Sequence, residues 1–333
     1  MNPFVSVIIP VYNAGESLHS CVNSLLKQTL KNIELIFVLD CPTDGSDKLI
    51  YEYAQKYSQI VVISNNKNLN IGESRNVGLK KAKGEYVAFC DHDDIVEPFM
   101  YEEIYNHAVE NNADIVLGVP RYCYTDSSLN ESFYYPDIVD IKSRLLSFLI
   151  GQDSRDSLEW KFFFSHGVIW DNIYRRSVIE QNNIKFVDNN KCTFEDNLFL
   201  ISYLLAADSA YVYNKHCYNH IITGNNTSSN SNYTKYPLIL EYINTLNRLL
   251  EQHKLKETYT ERFSNTVVMY ITGAFVSEVK KNKYKLWKTS RSYSQMKQLS
   301  VIGECFRYCT LKPYSNNLIK NMMLKFVNLI FRL

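Results

Sequence analysis

An alternation that fills the first third of the chain constrains its fold most. "FVSVIIPVY" is a short, nearly unbroken apolar run, as a strand buried on both faces requires. Leu18, Val22, Leu25 and Leu26 then recur at helical spacing, and "IELIFVL" is a second buried run. Ser46 is placed to cap a helix with Leu49, Ile50, Tyr53 and Tyr57 on one stripe. "IVVIS" is a third strand, and the next helix is expected from Glu73 to Lys83 with Gly84 as its C′ residue. "EYVAFCD" is a fourth strand, Pro98 opens another helix near its N1 position, and "ADIVLG" is a fifth strand. Strands alternating with helices in this way predict an α/β fold, a mostly parallel central sheet flanked by helices.

Ligands of such sheets bind beyond the carboxyl ends of the strands. Here those ends carry "PVYNAG", "DCPTDGSD", "NNKNLNIGESRN" and "DHDD", all polar and turn-rich and mostly acidic. A further acidic site, after "DCPTDGSD" and "DHDD", is "FED", where Glu195 and Asp196 begin a strongly apolar helix, and "SAYVYNKHCYNHI" reads as a returning strand. From about Tyr233 the chain turns helical, so the expected division is 1–232 (halves 1–118 and 119–232) and 233–333.

With 333 residues the chain has ample core for one large domain or two modest ones. A net charge of +1 gives no global attraction to nucleic acid or membrane. The eight cysteines include no C-x-x-C pair and read as reduced, mostly buried residues. The first residues lack a basic segment followed by a long apolar one, so no signal peptide is expected. No apolar run reaches the roughly 18 residues of a membrane span. A cytoplasmic location is the resulting expectation.

The acidic turns admit two chemistries when taken one at a time. Carboxylates of D-x-D-D are hard ligands for Mg²⁺ or Mn²⁺, which take one or two such groups and fill other positions with substrate phosphates. The same four residues also suit a solvated turn before a helix N-terminus. An Asx turn accounts for Asp44 and Gly45, but less well for Asp40, which directly follows a buried strand. Arg75 is a cation at the same edge, suited to a diphosphate or to neutralising the carboxylates. Asp196 fits a helix cap, or a general base facing a reaction centre.

Taken together the motifs resemble glycosyltransferase family 2 over about residues 4 to 220. "VSVIIPVYNAGESLHSCVNSLLKQTLKNIELIFVLDCPTDGS" follows that family's strand, P-x-Y-N, S-L-L-x-Q-T and D-D-G-S series. "NIGESRNVGLKKAKGEYVAFCDHDD" is similar to its A-R-N-x-G-L and D-x-D-D block, "FEDNLF" to its E-D motif, and "IWDNIYRRSVI" to its W-N-K-L-Y-R-R segment. The resemblance implies a GT-A fold, a nucleotide-sugar donor, most simply a UDP-sugar, Mg²⁺ or Mn²⁺, and inversion at the anomeric carbon.

By matching position, Pro10 and Tyr12 would contact the nucleotide, with Tyr12 stacking on the base, and Asp40 would partner the uracil N–H. Arg75 would lie near base and phosphates. Asp91 and Asp93 would meet the donor, with Asp93 and Asp94 on the metal. Asp196 would be the base and Glu195 its support. His166, Trp170 and His220 fall on the acceptor side, where Trp170 also suits a core position and His220 a strand end. The sequence departs from the family at Leu39, Cys41 and Pro42, which bears on base preference, and at Asn172, where a lysine is common. His92 fills the variable position of D-x-D-D with no implied role. The absence of Q-x-x-R-W after "FED" implies transfer of one sugar rather than polymer synthesis, to a saccharide or lipid-linked acceptor.

Near the end, Asn317, Lys320, Asn321, Lys325, Asn328 and Arg332 form one polar stripe opposite a wide apolar face. Residues 314–333 therefore suit either a peripheral membrane contact on the inner face of the cell membrane or packing, including a homodimer contact. Two other functions compete with this reading. A catalytically idle nucleotide-sugar-binding or scaffolding protein would have no use for Asp94 and Asp196. A dinucleotide-dependent oxidoreductase requires G-x-G-x-x-G after the first strand, where this chain has "PVYNAG".

Overall fold

A computed structural model describes residues 2–125, 130–132, 140–151, 168–223 and 236–281, with Ile302, Cys305, Tyr308 and Cys309. The strands are β1 (Val5–Val11), β2 (Ile33–Leu39), β3 (Ile60–Ser64), β4 (Tyr86–Phe89), β5 (Ile95–Val96), β6 (Ile115–Tyr124), β7 (Asn130–Ser132), β8 (Asn172–Arg175) and β9 (Ala210–Ile222). The helices are α1 (Ser17–Leu26), α2 (Ser46–Lys56), α3 (Asn70–Leu79), α4 (Met100–Glu110), α5 (Ile141–Ile150), α6 (Arg176–Gln181), α7 (Glu195–Ala206), α8 (Tyr236–Gln252) and α9 (Thr260–Lys281).

All the strands form one sheet, ordered β3-β2-β1-β4-β8-β6-β9-β5, with β7 beside β6. From β3 to β4 every pairing is parallel. β1 and β2 sit inside this half and every residue of both is buried, which is why their sequences run apolar without alternation. Beyond β4 the sheet becomes mixed: β8 is antiparallel to both β4 and β6, β6 is parallel to β9, and β5 is antiparallel to β9. β6 shifts register on β9 at Val119. Gly118 is required at this point, because its N–H donates to the Asp171 carbonyl at 2.9 Å and a Cβ would stand 2.4 Å from that oxygen.

Three helix boundaries depart from the expected ones. Ser46 is the first residue of α2 and not its cap. Gly45, at φ 92°, holds the cap position, and Asp44 accepts the Ser46 N–H at 3.1 Å and its hydroxyl at 2.7 Å. Ser46 Oγ is thereby free to accept the Ala14 N–H at 3.1 Å, joining the loop after β1 to that after β2. α3 begins at Asn70 rather than Glu73 and ends at Leu79, and Gly84 is not its C′ residue. Gly84 serves a close approach instead: its N–H donates to Ser6 Oγ at 2.7 Å, and a Cβ would meet Ser6 N at 2.6 Å. Pro98 lies just ahead of α4, with Phe99 at the cap.

Contacts divide the chain into two compact units. One comprises 1–145, 162–189 and 195–229, and holds the sheet; the other comprises 146–161, 190–194 and 230–333. Within the second unit, Phe194 stacks on Tyr270 and meets Tyr242 edge-on, and Arg262 and Thr266 donate to the carbonyls of Gly151 and Ile150. No described helix is long and apolar enough to cross a membrane. Residues 314–333 and His166 lie outside the described residues.

Candidate active site

The site belongs to the first unit, and it is built from strand ends. Pro10 lies near the end of β1, beside Val38 of β2. Tyr12 follows it and is 49% exposed, so its ring is available to a ligand. Asn13, at φ 47°, accepts the Thr43 N–H at 2.7 Å, and Asp44 accepts the Gly15 N–H at 2.8 Å. These bonds fix the two loops to each other before anything binds.

Asp40 is almost completely buried at the end of β2. Its Oδ1 accepts from Asn65 Nδ2 at 2.7 Å and from the Leu69 N–H at 2.8 Å, and its Oδ2 accepts the Asn70 N–H at 2.9 Å. The carboxylate thus adds acceptors at the N-terminus of α3, where Asn68 Oδ1 also accepts the Asn70 N–H at 3.2 Å, and this explains the early start of that helix.

The acidic turn after β4 distributes its carboxylates unequally. Asp94 is completely buried. It accepts the Tyr218 hydroxyl at 2.8 Å, His220 Nδ1 at 3.0 Å and the Ile221 N–H at 2.8 Å. Burial pushes its pKa up to about 6, against the pull of His220. For His220, burial works downward, but Asp94 outweighs it and the imidazole is raised. Asp93 has no ion-pair partner among the described residues, and burial and then Asp91 raise its pKa. His92, whose role the sequence left open, ties the turn to β1: its Nδ1 donates to the Pro10 carbonyl at 3.2 Å.

Trp170 is 6% exposed. Its faces are engaged by Tyr218, with ring centroids 4.4 Å apart, and by His220 at 5.0 Å. The stack leaves little of the indole for a sugar and holds His220 against Asp94 instead.

Arg75, on α3, is 3% exposed. Its Nη2 donates to Asp91 at 3.0 Å and its Nη1 to Glu195 at 3.4 Å. Its guanidinium lies 5.3 Å from the centroid of the Phe186 ring. Burial lowers its pKa, but Asp91, Glu195 and Asp196 together raise it. α3 is clamped to the segment leading toward α7. Asn76 donates to the Phe186 carbonyl at 2.8 Å and accepts the Phe186 N–H at 2.9 Å, while Asn189 accepts the Gly72 N–H at 2.8 Å.

Asp196 stands in the first turn of α7 and accepts the Asn197 N–H at 2.7 Å. Burial, followed by its neighbour Glu195, pushes its pKa up to about 7, with Arg75 opposing. A carboxylate poised near neutrality is suited to accepting a proton.

Two carboxylates are enough for Mg²⁺ or Mn²⁺ when substrate phosphates supply other ligands. Asp93 fits such a cation by its unpaired, raised carboxyl. Asp94 fits less well, because three donors already occupy its oxygens. No group of three or more His, Cys, Asp or Glu in ligating geometry occurs among the described residues.

The family described as Glycosyl transferase family 2 matches residues 6–182, which is more than half of the chain. The protein belongs to glycosyl transferase family 2. It is 30% identical over 355 residues to the cholesterol galactosyltransferase of Borreliella burgdorferi, covering 99% of this chain and 93% of that one. It is also 30% identical over 275 residues to poly(ribitol-phosphate) beta-N-acetylglucosaminyltransferase TarP of Staphylococcus aureus, covering 78% of each. In three dimensions it is similar to TarS of S. aureus, solved in complex with UDP-GlcNAc, with a TM-score of 0.65 at 22% identity over 92% of this chain and 81% of that one. The family 2 chain therefore has the GT-A fold.

Sequence patterns pointed to Asp40, Arg75, Asp91, Asp93, Asp94 and Asp196. They gave no sign of Tyr218, Asn65, Asn76, Phe186 or Asn189, which hold those residues in place. Asn76 adjoins Arg75 in "SRN", yet nothing local marks its backbone partner 110 positions away.

Proposed function

We propose that this family 2 enzyme moves one sugar, with inversion, from a UDP-sugar to a hydroxyl of a saccharide or lipid-linked saccharide in surface glycan biosynthesis. The observation that carries the proposal is Asp196, its carboxyl raised to about 7 by burial and by Glu195. In the proposed reaction the acceptor hydroxyl gives its proton to Asp196 as its oxygen attacks the anomeric carbon. The bond to the donor's diphosphate breaks on the opposite face, and a single displacement of this kind inverts the centre. Glu195 keeps Asp196 basic and binds Arg75. Tyr12 stacks on the nucleobase, Pro10 and Asp40 shape the nucleotide pocket, and Asp91 meets the ribose. Asp93 would hold Mg²⁺ or Mn²⁺, with Asp94 behind it fixing the turn. A bound divalent cation supplies neutralisation of the leaving diphosphate.

The names of the relatives support a hexosyl or N-acetylhexosaminyl donor. A second reading of the acceptor, the hydroxyl of a lipid itself, is favoured by the match to a cholesterol galactosyltransferase along nearly the whole of both chains. Either lipid-borne acceptor agrees with action at the cytoplasmic face of a membrane, approached through residues 314–333; a homodimer and an acceptor-side role for His166 belong to the same proposal, in which Trp170 and His220 shape that side from behind through their stack and the bond to Asp94. An idle binding protein is disfavoured by the cost of keeping Asp196 beside Glu195 with no reaction to serve. The test is to incubate the purified protein and Mn²⁺ with a panel of nucleotide-sugars and measure nucleotide release, with and without sterol, diacylglycerol and polyprenyl-linked acceptors. Release from a UDP-sugar, accelerated by one acceptor class, is expected. No release from any donor would overturn the proposal.

A further inference from the structure

Arg75 makes no use of its charge at the surface. It is 3% exposed, and it spans two carboxylates distant in sequence: Asp91 at the end of β4 and Glu195 at the start of α7. Its plane is set by the Phe186 ring, and that ring's backbone is held on both sides by Asn76, one residue along α3. Nε is buried with no hydrogen-bond partner among the described residues. Each terminal nitrogen thus gives one N–H to a protein carboxylate, and the Nε donor is enclosed. A residue built to grip a diphosphate would present its fork to the cleft.

We infer that Arg75 is a positioning residue, a buried strut that fixes the turn after β4 against the start of α7, beside Asp196. The inference rests on the proposed role of Asp196 as base. Three elements besides α7 bring charged or titratable groups to face that carboxyl: Arg75 from α3, Asp91 from the turn after β4, and Tyr174 from β8; Glu195 adjoins it on α7. Among the described residues, Arg75 is the one cation in that set. Without it, Asp91, Glu195 and Asp196 would face one another uncompensated, and Asp196 would hold its proton more tightly. Lysine is a poor replacement, because one ammonium cannot give separate nitrogens to both carboxylates.

The deciding experiment needs no known substrate. Protein labelled with ¹³C at the aspartate carboxyl carbon is titrated by NMR, with the Asp196 resonance assigned by its loss in Asp196→Asn. Arg75→Gln is expected to raise the Asp196 pKa by about one unit or more, and Arg75→Lys by a smaller step. The affinity for UDP with Mn²⁺, read by calorimetry, is expected to stay within about threefold of the parent. Melting curves establish folding, and if Arg75→Gln does not fold, Arg75→Lys decides alone. An unchanged Asp196 pKa in a folded variant overturns the inference. So does a loss of UDP affinity of about tenfold or more, which would make Arg75 a diphosphate contact. If the parent turns over no donor, the proposed function fails while the titration still decides the strut.

Discussion

The end of β2 and the start of α7 each place an aspartate in the first unit, and the two are treated in opposite ways. Asp40 receives three donors from its own chain, two of them backbone N–H groups of the α3 entry. Asp196 receives one backbone N–H and faces a neighbouring carboxylate. The same contrast recurs within one turn, where Asp94 is saturated and Asp93 is open. A saturated carboxylate has exchanged its reactivity for structure. One left short of donors is costly to keep, and that cost is sensible where charge or a proton must arrive from outside.

The contrast breaks most visibly if Asp196 proves dispensable. Asp196→Asn should lower turnover by about 10²- to 10⁴-fold, as expected for a lost general base. UDP binding by calorimetry should shift by no more than about twofold. Asp40→Ala should act on stability instead. Removing the Asp40 acceptor from two part-buried N–H groups and from the Asn65 amide, of which Asn70 keeps Asn68 and Asn65 keeps Ser74, should cost about 1–2 kcal/mol in urea unfolding. Full stability with a selective loss of UDP affinity would show that Asp40 faces the ligand after all.

The two neighbouring carboxylates sharpen the same point. Chelation with EDTA should remove activity and added Mn²⁺ restore it. Asp93→Asn should raise the Mn²⁺ needed for half-activity by about tenfold, the loss of one charged ligand. Asp94→Asn should move the melting temperature more than it moves the Mn²⁺ requirement. The reverse ranking would return the metal to Asp94. A further test concerns pH. Asp196 accepts a proton only when ionised, and its pKa is raised to about 7. Activity should therefore fall as pH drops through 7, by about tenfold per unit well below it, and level off above. A profile flat from pH 5 to 8 would remove Asp196 as the base.

Much of this was legible in the sequence because burial on both faces leaves a local trace. β1 and β2 appear as nearly unbroken apolar runs, broken only by Ser6 and Glu34, so their approximate limits and the position of Asp40 after β2 could be read directly, and their alternation with helices gave the parallel character of that half of the sheet. The match of "FED" to the start of α7 was legible for a similar reason, since a long apolar helix follows. The early start of α3 was not, because Asp40, at the end of another strand, adds acceptors at its N-terminus. The burial of Trp170 was also hidden, because its partners Tyr218 and His220 lie on β9.

The sequence by itself determined the order of strands and helices in the first third and which acids stand at their ends, since these depend on the period of apolar residues and on chain adjacency. Only the tertiary structure decided which acids are spent and which remain free. That depends on donors brought from Asn65, Leu69, Asn70, Tyr218, His220 and Ile221, and on a guanidinium shared between Asp91 and Glu195. The proton affinity of a carboxylate is set by what surrounds it in space, and most of those groups lie far away along the chain.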